Sequence, residues 1–137
     1  PNGVSFRRTF FMETELNDIN VYVSFETAKK LKEKGFDRML YSHYTNGGLL
    51  IVSDYKALWL TPAPTLGQAV EWLRQRNVCV SLTVGSADDG DDDRQTWKVR
   101  FYDRNLNILA SMNGLNITDY NKSIELAVNY AARFILP

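Results

Sequence analysis

Val78-Cys79-Val80-Ser81-Leu82-Thr83-Val84 alternates apolar and small polar side chains without a break, and Thr96-Trp97-Lys98-Val99-Arg100-Phe101-Tyr102-Asp103 repeats the pattern further on. Successive side chains of a strand point to opposite faces, so a period of two marks a strand buried on one side only. Val78, Val80, Leu82 and Val84 take one face of the first stretch, with Cys79, Ser81 and Thr83 on the other. In the second, Trp97, Val99 and Phe101 oppose Lys98, Arg100 and Tyr102. Leu106–Met112, after the turn residues Asp103-Arg104-Asn105, supplies a third strand. The three predict an antiparallel meander with one face on a core and one wetter face.

Outward from that meander, helices are expected on both sides in sequence. Ser24 suits an N-cap, and Glu26 sits in the first turn, where the helix dipole favours an acid. The helix would run over Phe25–Lys34 with Ala28 and Leu31 inward, and Gly35 is placed to end it in a left-handed conformation. Thr65 and Gln68 make a capping box for a second helix, Leu66–Arg76. Its stripe is Leu66, Ala69, Val70 and Leu73, and Trp72 flanks it half buried. A third helix is predicted from Asp119 to Leu136, with Tyr120, Ile124, Ala127, Val128, Ala131, Phe134 and Ile135 in one continuous apolar stripe. The remaining strand candidates are Ile19–Val23, Leu49–Val52 and Ala57–Leu60. Residues 37–48 read as a polar connection, and Thr61–Thr65 as extended because each proline disfavours helix in the residue before it. The expected fold class is α+β: an antiparallel sheet with about three helices packed on one face.

Length and composition bound the class. The chain has 137 residues, 45% hydrophobic and 12% aromatic, enough for one domain with a real core. Residues 1–18 read as an ordered tail or edge strand and residues 86–95 as a mobile acidic loop. This composition excludes disorder, collagen-like repeats and a disulfide scaffold. With 16 basic and 16 acidic side chains the formal net charge is zero, which excludes an overtly cationic nucleic-acid binder. Setting aside Arg94 and the five aspartates of residues 86–95 leaves 15 basic against 11 acidic side chains. A mildly basic body is therefore offset by a negative loop. The single cysteine, Cys79, makes no internal disulfide, no apolar run approaches the ~18 residues of a membrane span, and no secretory signal opens the chain. A cytoplasmic location without membrane association is the expectation.

Several of these pieces carry a resemblance. Val23-Ser24-Phe25-Glu26-Thr27-Ala28, Lys34-Gly35-Phe36-Asp37, Ala63-Pro64-Thr65-Leu66, Trp72-Leu73-Arg74 and Tyr120 with Ile124-Glu125-Leu126-Ala127 follow one another in order. The chain resembles, over residues 19–136, a group of small uncharacterised proteins of Bacteroidetes genomes and their prophages. The resemblance implies a bacterial or phage cytoplasmic setting. That group has no established activity, so no catalytic or binding residue is carried over from it.

The residues that bear chemistry are few. His43 is the only histidine, in the polar connection, and reads as a surface or hydrogen-bonded loop residue; as a base it would serve an enzyme, with Cys79 as its partner if the two converge. One histidine and one cysteine give no zinc spacing, and no P-loop, dinucleotide fingerprint or nucleophile elbow is present. Asp88-Asp89-Gly90-Asp91-Asp92-Asp93 lacks the ligand periodicity of an EF-hand and reads as a solvated loop. No catalytic, metal or cofactor site is assigned. The candidate binding residues are the aromatics Tyr41, Tyr44, Tyr55 and Trp59 beside Pro62-Ala63-Pro64, since loop aromatics are frequent contact residues. Lys98, Arg100 and Tyr102 are added as a basic and aromatic strand face. The expected function is a non-catalytic macromolecule-binding protein of phage or mobile-element type, with a protein partner or self-association favoured. A single-stranded nucleic-acid accessory protein using Lys98, Arg100 and Tyr102 is the alternative, and an enzyme using His43 the third.

Overall fold

In a computed structural model, which describes residues 22–53, 60–86, 95–112 and 119–137, the chain is an α+β protein. Among the described residues, three helices accompany two antiparallel three-stranded sheets. Helix α1 (Phe25–Glu33) begins where Ser24 Oγ accepts the Thr27 N–H, at 3.2 Å, and ends before Gly35, whose φ of 99° matches the expected left-handed stop. The strands β1 (Ser42–Tyr44), β2 (Leu50–Val52) and β3 (Thr61–Pro62) form the first sheet in the order β2-β1-β3. Helix α2 (Leu66–Gln75) carries the expected capping box, with both the Thr65 and the Gln68 hydrogen bonds made. The second sheet is the meander β4 (Cys79–Ser86), β5 (Gln95–Tyr102) and β6 (Ile108–Met112). Helix α3 (Tyr120–Tyr130) runs into a π turn at Ala131–Ile135.

The middle of the meander matches its pattern, but Val84, expected on the core face, is 56% exposed. Val99 and Phe101 are fully buried, Lys98 and Arg100 are exposed, and Ser81 faces Arg100 across the ladder. One residue upsets the third strand. Phe101 pairs with Ala110 but Tyr102 pairs with Ile108, so Leu109 is the extra residue of a bulge. The bulge places Ile108 opposite Tyr102, away from the face on which Ala110 and Met112 meet the core. Helices α2 and α3 pack against this sheet, and α1 packs on β3 and α3.

Four expectations need correction. The single sheet is two sheets, because residues 37–48 are not a mere polar connection: they contain β1, which pairs with β2 and β3. All three β1 side chains are buried, so the segment shows no alternation. Trp72 is not half buried but 2% exposed. Phe36 packs against it at 5.3 Å and the Arg76 guanidinium covers its ring at 4.7 Å. The third helix is not one continuous stripe. A π turn winds more residues per turn than an α-helix, and past Tyr130 it shifts the buried positions to Ala131, Ala132 and Leu136 while Phe134 is 71% exposed. Tyr120, the first residue of that stripe, is exposed and meets Trp97 edge-on. Phe134 leans on Tyr130 at 5.0 Å, and Tyr130 stacks on Phe101 at 5.5 Å, a file of three rings from solvent to core.

Of the other candidate strands, residues 19–21 and 54–59 lie outside the described residues. Tyr22 makes an isolated bridge to Thr65, and the second partner of β1, beside β2, is Thr61–Pro62, one step beyond the expected Ala57–Leu60 strand. Residues 1–18 and 87–94 likewise lie outside the described residues.

Candidate functional site

The extended segment before α2 and the end of the first sheet meet at a groove of about 330 Å³. Tyr22, Met39, Leu40, Tyr41, Ser42, Val52, Thr65 and Gln68 line it. Three of these residues are exposed: Met39 at 51%, Tyr41 at 48%, and Gln68. Its polar groups are mostly committed to the fold. Ser42 Oγ donates to the Ala63 carbonyl at 2.6 Å, Thr65 Oγ1 accepts the Gln68 N–H, and Gln68 Oε1 accepts the Thr65 N–H. That leaves the Gln68 amide nitrogen without a partner among the described residues. The groove therefore offers an apolar wall, an aromatic rim and an amide donor. Among its described lining residues there is no carboxylate, histidine, lysine or cysteine.

β1, next to the groove, is closed. His43 is 2% exposed, between Ile51 of β2 and Pro62 of β3, so it is a core residue and not the surface or loop residue expected. Burial lowers its pKa and keeps the ring neutral. Cys79 belongs to the other sheet, and neither residue lines the groove. Tyr44 is also buried, its hydroxyl donating to the Val23 carbonyl. Burial pushes its pKa up to about 12, with the Glu125 carboxylate and Tyr22 adding to the rise. Tyr44 thus anchors the core, where a loop contact was expected.

The remaining binding candidates separate. Tyr41 stands at the groove; Tyr55 and Trp59 lie outside the described residues. Lys98, Arg100 and Tyr102 do share one face of β5, with Thr83, Ser81 and Cys79 opposite them on β4. They form a surface distinct from the groove. Among the described residues no group of three His, Cys, Asp or Glu side chains is placed to hold a metal ion.

No protein-family model, curated protein or solved structure matches the chain.

Two arrangements were invisible in the sequence. The groove joins residues from four separate segments, and its Met39-Leu40 wall carries no periodic signal. The second is a polar seam between α1 and α3. Thr27 Oγ1 donates to Glu125 Oε1 at 2.7 Å and accepts from Asn129 Nδ2 at 2.9 Å, while the Ser24 N–H donates to the same carboxylate oxygen. Arg133 Nε continues the seam to Asn129 Oδ1. Glu125 Oε2 is buried with no hydrogen-bond partner among the described residues. Glu125 and Asn129 lie four residues apart on one helix face, which is the one signal that pairs them in advance.

Proposed function

We propose that this chain is a non-catalytic binding protein whose partner is another protein, held as an extended peptide segment along the groove. The observation that carries the reading is the groove's make-up: an exposed methionine and tyrosine flank an apolar floor, and the Gln68 amide nitrogen has no partner among the described residues. Tyrosine and methionine are enriched at the cores of protein interfaces, and a single amide suits a peptide carbonyl. β2 ends at Val52 on the groove and, among the described residues, pairs only with β1; a sheet edge of this kind is what extended peptides join. The neutral, enclosed state of His43 speaks against the enzyme reading. The phage or mobile-element setting and the cytoplasmic location rest on the resemblance and on Cys79. For the membrane, the relevant observation is that no helix among the described residues is long and apolar enough to cross one.

The test is a photo-crosslinking residue in place of Met39, irradiated in native bacterial lysate with and without nuclease. A protein adduct seen in both arms, and lost when Tyr41→Ala or Gln68→Ala is added, is the expected result. A blank in both arms, or an adduct that survives both substitutions, would remove the groove as the binding site.

A further inference from the structure

The end of α2 gathers arginines in excess of what the fold uses. Arg104 Nη2 donates to the Gln75 carbonyl at 3.3 Å, and the Arg104 N–H donates to Asn77 Oδ1 at 2.8 Å. Arg38 Nη2 donates to Gln75 Oε1, and Arg76 lies flat over Trp72. One cation is enough to complement the partial negative charge at a helix C-terminus. Here three guanidiniums converge on a single turn. None of the three makes an ion pair among the described residues; the nearby Glu71 is taken by Arg74, with bonds of 2.6 and 2.9 Å. Asp103 directs its carboxylate to the N–H groups of Asn105 and Asn107, away from Arg104. Each guanidinium has five N–H donors, and most of these have no partner among the described residues.

A second basic feature starts from the same end of β5. Arg104 follows Tyr102 by two residues at the end of β5, and Arg100 and Lys98 continue along the strand, exposed and without a hydrogen bond or ion pair among the described residues. Tyr102 lies between them, half buried, and its ring stacks on no other ring among the described residues. Guanidiniums match phosphate oxygens in a forked geometry, and an unstacked aromatic beside them suits a nucleobase. An acidic peptide would use the charges but leave the ring idle.

We infer that Arg38, Arg76 and Arg104, extended along β5 by Tyr102, Arg100 and Lys98, form a binding track for the backbone of a single-stranded nucleic acid, separate from the groove. The acidic run Asp88–Asp93 does not oppose this placement by its attachment, because Ser86 and Gln95 pair at the opposite end of the β4–β5 hairpin from Tyr102.

Fluorescence anisotropy of labelled single-stranded DNA and RNA of about 12 nucleotides, at about 50 and about 200 mM salt, tests it. Binding that weakens with salt is expected. The triple variant Arg38→Gln, Arg76→Gln, Arg104→Gln should lose at least about tenfold in affinity and lower the salt slope by about 2, at about 0.7 per phosphate contact. Its circular dichroism is recorded alongside. If that variant fails to fold, Lys98→Gln/Arg100→Gln takes its place, since those side chains carry none of the fold's described polar contacts. Absence of binding at low salt overturns the inference, as does equal affinity for poly-glutamate of matched charge. Full affinity in the folded triple variant, or in the double variant where it stands in, overturns it as well.

Discussion

β1 hides all three of its side chains, whereas β5 hides one face and opens the other. The two central strands differ in what their polar residues can do. In β1, Ser42 and Tyr44 spend their hydroxyls on the carbonyls of Ala63 and Val23 and so fasten the first sheet to the chain around it. In β5, Lys98 and Arg100 are exposed and make no hydrogen bond or ion pair among the described residues. Polar groups enclosed on both sides must be satisfied inside the protein, because an unmade bond there carries the full cost of desolvation. Groups on an open face are satisfied by water and remain available. The first sheet therefore holds the fold, and it meets the groove at Tyr41, Ser42 and Val52. The second sheet is both scaffold and surface.

The sharpest way to break this contrast is on the buried side of β5. Phe101 is fully buried under Tyr130, so Phe101→Ala should destabilise the protein by about 3–5 kcal/mol, read from urea unfolding. A cost under about 1 kcal/mol would mean that the second sheet is not anchored by its inner face. The next largest effect belongs to β1. Tyr44→Phe leaves the Val23 carbonyl without its donor and should cost about 1–3 kcal/mol. It also carries a pH signature. The Tyr44 pKa lies above its ordinary value of 10.0, at about 12, so the folded state holds its proton longer than the unfolded state does. Its contribution is complete below pH 10 and is lost as the pH rises toward 12. Melting temperatures of the wild type should fall over that interval more steeply than those of Tyr44→Phe; parallel curves would show that the hydroxyl is not buried as described. The smallest effect is expected on the open face, where Lys98→Ala and Arg100→Ala should each shift stability by no more than about 0.5 kcal/mol. A larger loss would show that this face supports the fold after all.

The same contrast explains what could be read from the sequence. A strand with one wet face writes its burial into the chain with period two, and Val78–Val84 and Thr96–Asp103 were legible for that reason. The caps at Ser24 and Thr65 were legible because a side chain bonds backbone three residues away, within a window any reader of the sequence can see. Ser42-His43-Tyr44 was not. With both sides covered, its polar residues mimic a loop, and their partners lie 21 residues away at Ala63 and Val23. The helical stripe failed at the π turn, since a fixed step of 100° per residue has no means of anticipating a wider turn. The candidate sites divide along the same line. The Lys98, Arg100 and Tyr102 face followed from alternation, while the arginines beside it come from three distant segments that only tertiary structure gathers.

The file of rings formed by Phe134, Tyr130 and Phe101 gives the sheet's interior an outward-facing antenna. Tyr130 lies between two aromatic neighbours, one stacked within 18° and one tilted by 48°, so its ring protons sit in the diamagnetic fields of both. Their resonances will depend on the spacing of all three rings. A nuclear magnetic resonance spectrum of this one tyrosine thus reports, without any label, whether the inner face of β5 keeps its place when something settles on the outer one.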